Sequence, residues 1–156
     1  MPGESMKEAL GKLYVIGVGP GDPELITVKA SRLLGKTPFI FVPQRDEASP
    51  SYARSIIEGI VRGPEQRIIG LTFPMVRDAD KLALHWDRAA QTIWQHLKLG
   101  YDCAFVNEGD PFLFGTAIYV VTNLQKAHPG VEITVIPGVS SINASAARAA
   151  LPLAIN

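Results

Sequence analysis

Leu13-Tyr14-Val15-Ile16-Gly17-Val18-Gly19-Pro20-Gly21-Asp22-Pro23-Glu24-Leu25 is the stretch on which the fold turns. A short β-rich apolar run leads into a turn of glycines and prolines. Beyond it, Leu25 to Leu34 carries apolar residues at helical spacing until Gly35 ends the pattern. The order is strand, turn, helix. The Gly-Asp-Pro triplet of this turn returns as Gly109-Asp110-Pro111, again directly after an apolar run. In an open α/β sheet all strand-to-helix turns lie at the carboxyl ends of the strands, so two specialised turns remote in sequence meet at one ligand-binding edge.

Working outward, the alternation continues. Pro38 to Val42 is a second apolar run, Ser51 to Val61 sets Ile56, Ile57, Ile60 and Val61 on one helical stripe, and Arg67 to Leu71 restores strand character. From Asp80 to Leu99 the residues Leu82, Trp86, Ala89, Ala90, Ile93 and Leu97 recur at helical intervals, with Lys98 near the end and Gly100 as the stop. Asp102 to Asn107 is strand-like, and Thr116 to Ala127 is helical up to His128-Pro129-Gly130. Val131 to Ile136 is a last strand before an alanine-rich helix from about Ser141. Five β-α repeats predict one α/β domain: an open, mostly parallel five-stranded sheet with helices on both faces and right-handed crossovers. Residues 1–11 are polar and irregular and are read as a flexible leader to a domain over residues 12–156.

Bulk properties narrow the function. The 156 residues suffice for one core and not for two. Fifteen basic residues balance fifteen acidic ones, so nothing favours a nucleic-acid partner. With 47% apolar residues but no run near the roughly 20 needed to span a bilayer, and no basic-then-apolar amino terminus, a cytoplasmic protein is expected. Cys103 is the only cysteine and sits within an apolar run, which reads as a buried strand thiol. His85, His96 and His128 have no ligand spacing with one another or with Cys103, so no metal site is expected.

The turns carry the chemistry. Gly17-Val18-Gly19-Pro20-Gly21-Asp22 resembles a dinucleotide fingerprint but has Asp22 in place of the third glycine. Pro20 and Pro23 delete backbone N–H groups and Asp22 adds negative charge, whereas a pyrophosphate cradle needs free amides. Asp22 also reads as an ordinary helix cap, with Pro23 and Glu24 in the first turn. The second turn, Asn107 to Thr116, adds an apolar lip. Phe112, Leu113 and Phe114 either face a flat organic ligand or belong to the core. The third, Ile136-Pro137-Gly138-Val139-Ser140-Ser141, puts two hydroxyls at a helix start, where one of them can act as a cap. The helix beyond it is rich in alanine, which permits close packing.

With these residues in view, the chain resembles the tetrapyrrole (corrin/porphyrin) methylase family, and within it the precorrin-2 C(20)-methyltransferases. The resemblance rests on the first turn with Leu25-Ile26-Thr27-Val28-Lys29-Ala30, on Phe41-Val42-Pro43 and on Phe73-Pro74-Met75. Glu108-Gly109-Asp110-Pro111 and Pro137-Gly138-Val139-Ser140-Ser141 complete it. It implies S-adenosyl-L-methionine as methyl donor, held in the cleft between two α/β domains, and precorrin-2 as the tetrapyrrole substrate in cobalamin synthesis. Pro20, Gly109, Asp110, Leu113, Ser140 and Ser141 match the donor-contacting positions. It also implies a homodimer and a second domain closing the cleft, which is absent from this chain.

Such substrates carry many carboxylates. Arg45 and Arg77, just past strand ends on the same edge, are the candidates to bind them, the other reading being solvated loop charges. No general base is identifiable. Alternatives are a related methylase, acting on cobalt-factor II or on uroporphyrinogen III, and a noncatalytic ligand-binding or assembly domain.

Overall fold

The structure, a computed structural model, describes residues 9–155. Strict alternation along the strands sorts the core into two layers. The strands are β1 (Leu13–Gly17), β2 (Phe39–Gln44), β3 (Arg67–Thr72), β4 (Cys103–Asn107) and β5 (Ile133–Ile136). Leu13, Val15, Phe41, Leu71, Cys103 and Phe105 face one side. There they pack beneath helices α3 (Ala79–Leu97) and α4 (Ala117–Ala127), which bury Ala90, Ile93, Leu97, Val120 and Leu124. Their neighbours Ile16, Ile40, Val42, Ala104, Val106 and Ile136 face the other side. Helices α1 (Val28–Leu34) and α2 (Tyr52–Ile57) cover them with Ala30, Leu33, Leu34, Ile56 and Ile57. Strands buried on both faces read as continuous apolar runs for this reason.

All strand pairs are parallel, in the order β3-β2-β4-β1-β5. The chain runs outward from β1 through β2 to β3, returns to insert β4 between β2 and β1, and ends on β5 beyond β1. α1 leaves β1 on one face and α4 leaves the adjacent β4 on the other, so the strand order switches between these two strands. The expected doubly covered parallel sheet is thus observed, with a switch in strand order that places the first two turns side by side. No helix among the described residues is long and apolar enough to cross a membrane.

Several boundaries differ from expectation. The first helix does not start at Leu25: Pro23–Leu25 is a single 3₁₀ turn, whose Glu24 N–H is capped by Asp22 Oδ1 at 2.9 Å. The chain then extends, and α1 begins at Val28 under a second cap, Thr27 Oγ1 accepting from the Ala30 N–H at 3.2 Å. Two capping residues five apart split what periodicity reads as one helix. Ser51 likewise caps α2, accepting from Arg54 N–H at 3.2 Å, and α2 ends at Ile57, before Ile60 and Val61. The last helix, α5 (Ser141–Ala149), buries none of its residues fully; of its alanines only Ala144 and Ala146 are partly covered. Of the leader, residues 1–8 lie outside the described residues. Gly11 already belongs to the fold, buried with its N–H on Leu97 O at 2.9 Å.

Candidate functional site

Four glycine backbones, Gly17, Gly19, Gly109 and Gly138, weld the three turns together. Gly19 and Gly109 both adopt positive φ, +76° and +64°, and pair in an antiparallel bridge. The Gly109 N–H donates to Gly19 O at 2.8 Å, and the Gly19 N–H to Gly109 O at 3.4 Å. A Cβ on Gly17 would fall 2.6 Å from Gly138 N and 2.7 Å from Gly109 O, and one on Gly138 would collide with that same carbonyl. Only residues without side chains allow this approach. Asp110 fastens the contact, Oδ1 accepting the Phe112 N–H at 2.9 Å and Oδ2 the Gly138 N–H at 3.0 Å. It is therefore a cap for its own turn and a clasp on the third turn. Behind it, buried Asn107 donates through Nδ2 to Glu108 O at 2.7 Å.

Beside the weld lies a cavity of about 420 Å³ whose walls include all six residues matched to the donor: Pro20, Gly109, Asp110, Leu113, Ser140 and Ser141. Glu108, Phe114 and Ile142 complete it. The hydroxyl of buried Ser140 serves α5, accepting from Asn143 N–H at 3.2 Å and donating to Asn143 Oδ1 at 2.6 Å. Ser141 is exposed at the wall.

The lip residues are not core. Phe112, Leu113 and Phe114 are all exposed, Phe114 to 95%, and Phe114 sits at φ 57°, a conformation that costs an L residue about 1–2 kcal/mol. Leu113 and Phe114 separate the cavity from a broader open cleft of about 830 Å³. Phe73, Met75, Phe112 and the Trp86–Tyr119 pair, stacked at 3.9 Å and 5°, line this cleft, with Arg77 among them. Arg45 lines a third hollow of about 260 Å³ with Tyr52, Phe73, Met75 and Glu108. Arg45 and Arg77 thus line two hollows that each share residues with the 420 Å³ cavity. Arg45 has only a 4.0 Å contact to Asp46 between exposed side chains, too weak to hold it back from a ligand.

Sequence reasoning missed Glu108 and Tyr52. Glu108 lines both the 420 Å³ cavity and the hollow with Arg45. Desolvation pushes its carboxyl above the usual glutamate range, against a backbone hydrogen bond from Ala53. The Tyr52 hydroxyl donates to Pro20 O at 3.3 Å and abuts Gly21, tying α2 to the first turn.

The donor set distinguishes ligand classes. The cavity wall holds two carboxylates, two hydroxyls and four apolar side chains, with no lysine or arginine. Gly109, held at φ +64°, contributes bare backbone to this wall. These groups fit a cationic organic molecule with an apolar part and do not fit a pyrophosphate. Elsewhere Cys103 is fully buried and its thiol is pushed up to about 12, as expected of a packing residue.

Comparison with known proteins agrees with this geometry. A family model described as Tetrapyrrole (Corrin/Porphyrin) Methylases matches residues 12–156. The chain is 38% identical over 148 residues to the Methanocaldococcus jannaschii protein named "Probable cobalt-precorrin-2 C(20)-methyltransferase", covering 95% of this chain and 61% of that one. It is 35% identical over 145 residues to the cobalt-precorrin-2 C(20)-methyltransferase of Salmonella typhimurium, covering 93% and 60%. The chain therefore spans about three fifths of the length of these curated relatives. The Thermus thermophilus uroporphyrin-III C-methyl transferase complexed with S-adenyl homocysteine superposes with a TM-score of 0.61 at 26% identity, over 94% of this chain and 51% of that one. The chain belongs to the tetrapyrrole (corrin/porphyrin) methylase family.

Proposed function

We propose that this chain forms the donor-binding domain of an S-adenosyl-L-methionine-dependent methyltransferase that methylates precorrin-2 at C(20) in cobalamin synthesis. The observation that carries this reading is the convergence of Pro20, Gly109, Asp110, Leu113, Ser140 and Ser141 on one cavity, free of basic side chains, that opens past Leu113 and Phe114 into an apolar cleft. The names of the two C(20)-methyltransferase relatives support the reaction, and the S-adenyl homocysteine complex of the Thermus protein supports the donor.

When bound, the donor supplies an electrophilic methyl group on a cationic sulfonium. The protein needs no nucleophile of its own for such a reaction; its task is alignment and a suitable field. Asp110 holds the second and third turns in register, and with Glu108 gives the cavity negative character. Leu113, Phe114 and Ile142 present apolar surface to the apolar part of the ligand. The aromatic cleft offers flat faces to a tetrapyrrole, and Arg45 and Arg77 offer planar forks to its carboxylates. A metal chelated by the ring needs no protein ligand, so both cobalt-bearing and metal-free substrates suit the site. The family resemblance extends the proposal to a cytoplasmic homodimer.

The test is methyl transfer from labelled donor to precorrin-2 by the complete polypeptide. One methyl group per tetrapyrrole is expected, with Arg45→Ala and Arg77→Ala weakening tetrapyrrole binding and sparing donor binding. Donor binding without turnover favours the noncatalytic alternative, and unchanged tetrapyrrole affinity removes the two arginines from the site.

A further inference from the structure

Methylation of a ring carbon leaves one proton to dispose of, and the fold offers few groups to take it. The carbon–sulfur bond of the donor breaks as the new carbon–carbon bond forms. The sulfonium becomes a neutral thioether. The electron pair of the carbon–hydrogen bond returns to the ring, and the proton passes to a base. Such a base must reach the donor cavity and the substrate side at once.

The titratable and charged groups on the two cavities that meet here are Arg45 from the loop after β2, Tyr52 at the start of α2, and Glu108 and Asp110 from the turn after β4. Arg45 is a permanent cation. The Tyr52 hydroxyl is directed at Pro20 O. Both oxygens of Asp110 are engaged by the Phe112 and Gly138 amides. None of the three histidines lines either cavity. Glu108 remains. It is the one residue common to both cavities, no ion pair among the described residues involves it, and it is open enough to solvent to pass a proton on.

Resting on the methyltransferase reading above, we propose that the Glu108 carboxylate accepts the proton released from the ring carbon as it is methylated. Its placement between the 420 Å³ cavity and the Arg45 hollow, which shares Phe73, Met75 and Thr116 with the aromatic cleft, gives it access to both reactants. Partial desolvation makes it a better base near neutrality than an ordinary glutamate, since proton transfer gains driving force as the acceptor's pKa approaches the working pH. The Ala53 N–H opposes this rise without neutralising the side chain.

Glu108→Gln and Glu108→Asp in the complete polypeptide provide the test. Glutamine keeps a carbonyl oxygen for the Ala53 N–H and removes only the proton acceptor. Three quantities are measured: affinity for S-adenosyl-L-homocysteine by calorimetry, single-turnover methylation against pH, and the wild-type Glu108 carboxyl titration by ¹³C NMR. Expected are donor-product affinity within about threefold of wild type in both variants and a loss of roughly 10²–10⁴-fold in rate for Gln. The acidic limb of the rate profile should vanish in Gln and persist in Asp, and Glu108 should titrate above about 4.3. A Gln variant within a few fold of wild-type rate, or one with the acidic limb intact, overturns the assignment. Loss of product affinity in Gln also overturns it, by making Glu108 a donor ligand instead. Failure of the wild type itself to bind product or transfer methyl is a separate result, and it rejects the methyltransferase reading.

Discussion

Replacing Gly138 by alanine tests the glycine weld directly. The added Cβ collides with the Gly109 carbonyl oxygen and comes within 2.9 Å of the Gly17 Cα and carbonyl carbon, all backbone atoms that no rotamer change can move. Carbon contacts settle near 3.5 Å or beyond, so the turns must part by at least about 0.6 Å. That opening strains the Asp110 bond to the Gly138 N–H, now 3.0 Å, and the Gly109 bond to Gly19 O, now 2.8 Å. Overpacking of this kind costs about 1–3 kcal/mol, and weakening a hydrogen bond to a carboxylate places the expected loss in the upper half, about 2–3 kcal/mol. For a chain of this length that lowers Tm by roughly 4–12 °C. Gly130→Ala, where a Cβ meets nothing within 4 Å, is the control and stays within about 0.5 kcal/mol of wild type. Urea melts give the stability, and calorimetric titration with S-adenosyl-L-homocysteine shows whether the cavity survives. If Gly138→Ala matches Gly130→Ala in both assays, the three turns do not depend on bare backbone contact and the reasoning fails.

Phe114→Gly removes a side chain held at φ 57° in solvent, so thermal melting should show a gain of up to about 1 kcal/mol while ligand affinity falls; a loss of stability contradicts the strain. Cys103 should resist thiol reagents at pH 8 until the chain unfolds, because its thiol is buried and raised to about 12; rapid native labelling would be inconsistent with that packing. The Glu108 carboxyl is raised in the folded state, so the native protein binds more protons than the unfolded chain across the interval between the two pKa values, and stability falls as pH rises through it. Melting curves of Glu108→Gln should therefore lie above wild type at pH 7 and converge with it below the unfolded glutamate range; the opposite ordering refutes the sign.

The existence of every strand and of the five main helices was legible because burial on both faces leaves continuous apolar runs, and helical stripes such as Leu82 to Leu97 contrast with them. The insertion of β4 between β2 and β1 was not, since strand order depends on which face each crossover covers and no local residue encodes that. The 3₁₀ turn at Pro23 was hidden because Asp22 and Thr27 are both good caps, and periodicity alone does not say which one starts α1. In the site, clustered glycines announced the three turns. Phe112 to Phe114 were ambiguous because a ligand-facing lip and a core segment share the same composition, and their exposure excludes the core. Tyr52 carried no signal, its contact with Pro20 being made only across the folded edge. Glu108 sat inside a recognised motif, yet its place between two cavities is a property of three-dimensional packing.

The most direct measurement is an amide chemical-shift map of the chain titrated with S-adenosyl-L-homocysteine. The account predicts that the largest perturbations fall on Gly19, Gly109, Asp110, Leu113, Gly138, Ser140 and Ser141, residues of the three turns that meet at one edge of the sheet. Perturbations concentrated instead in the groove between β3 and α3 around Thr72, His85 and Arg88, with those turns silent, would contradict it.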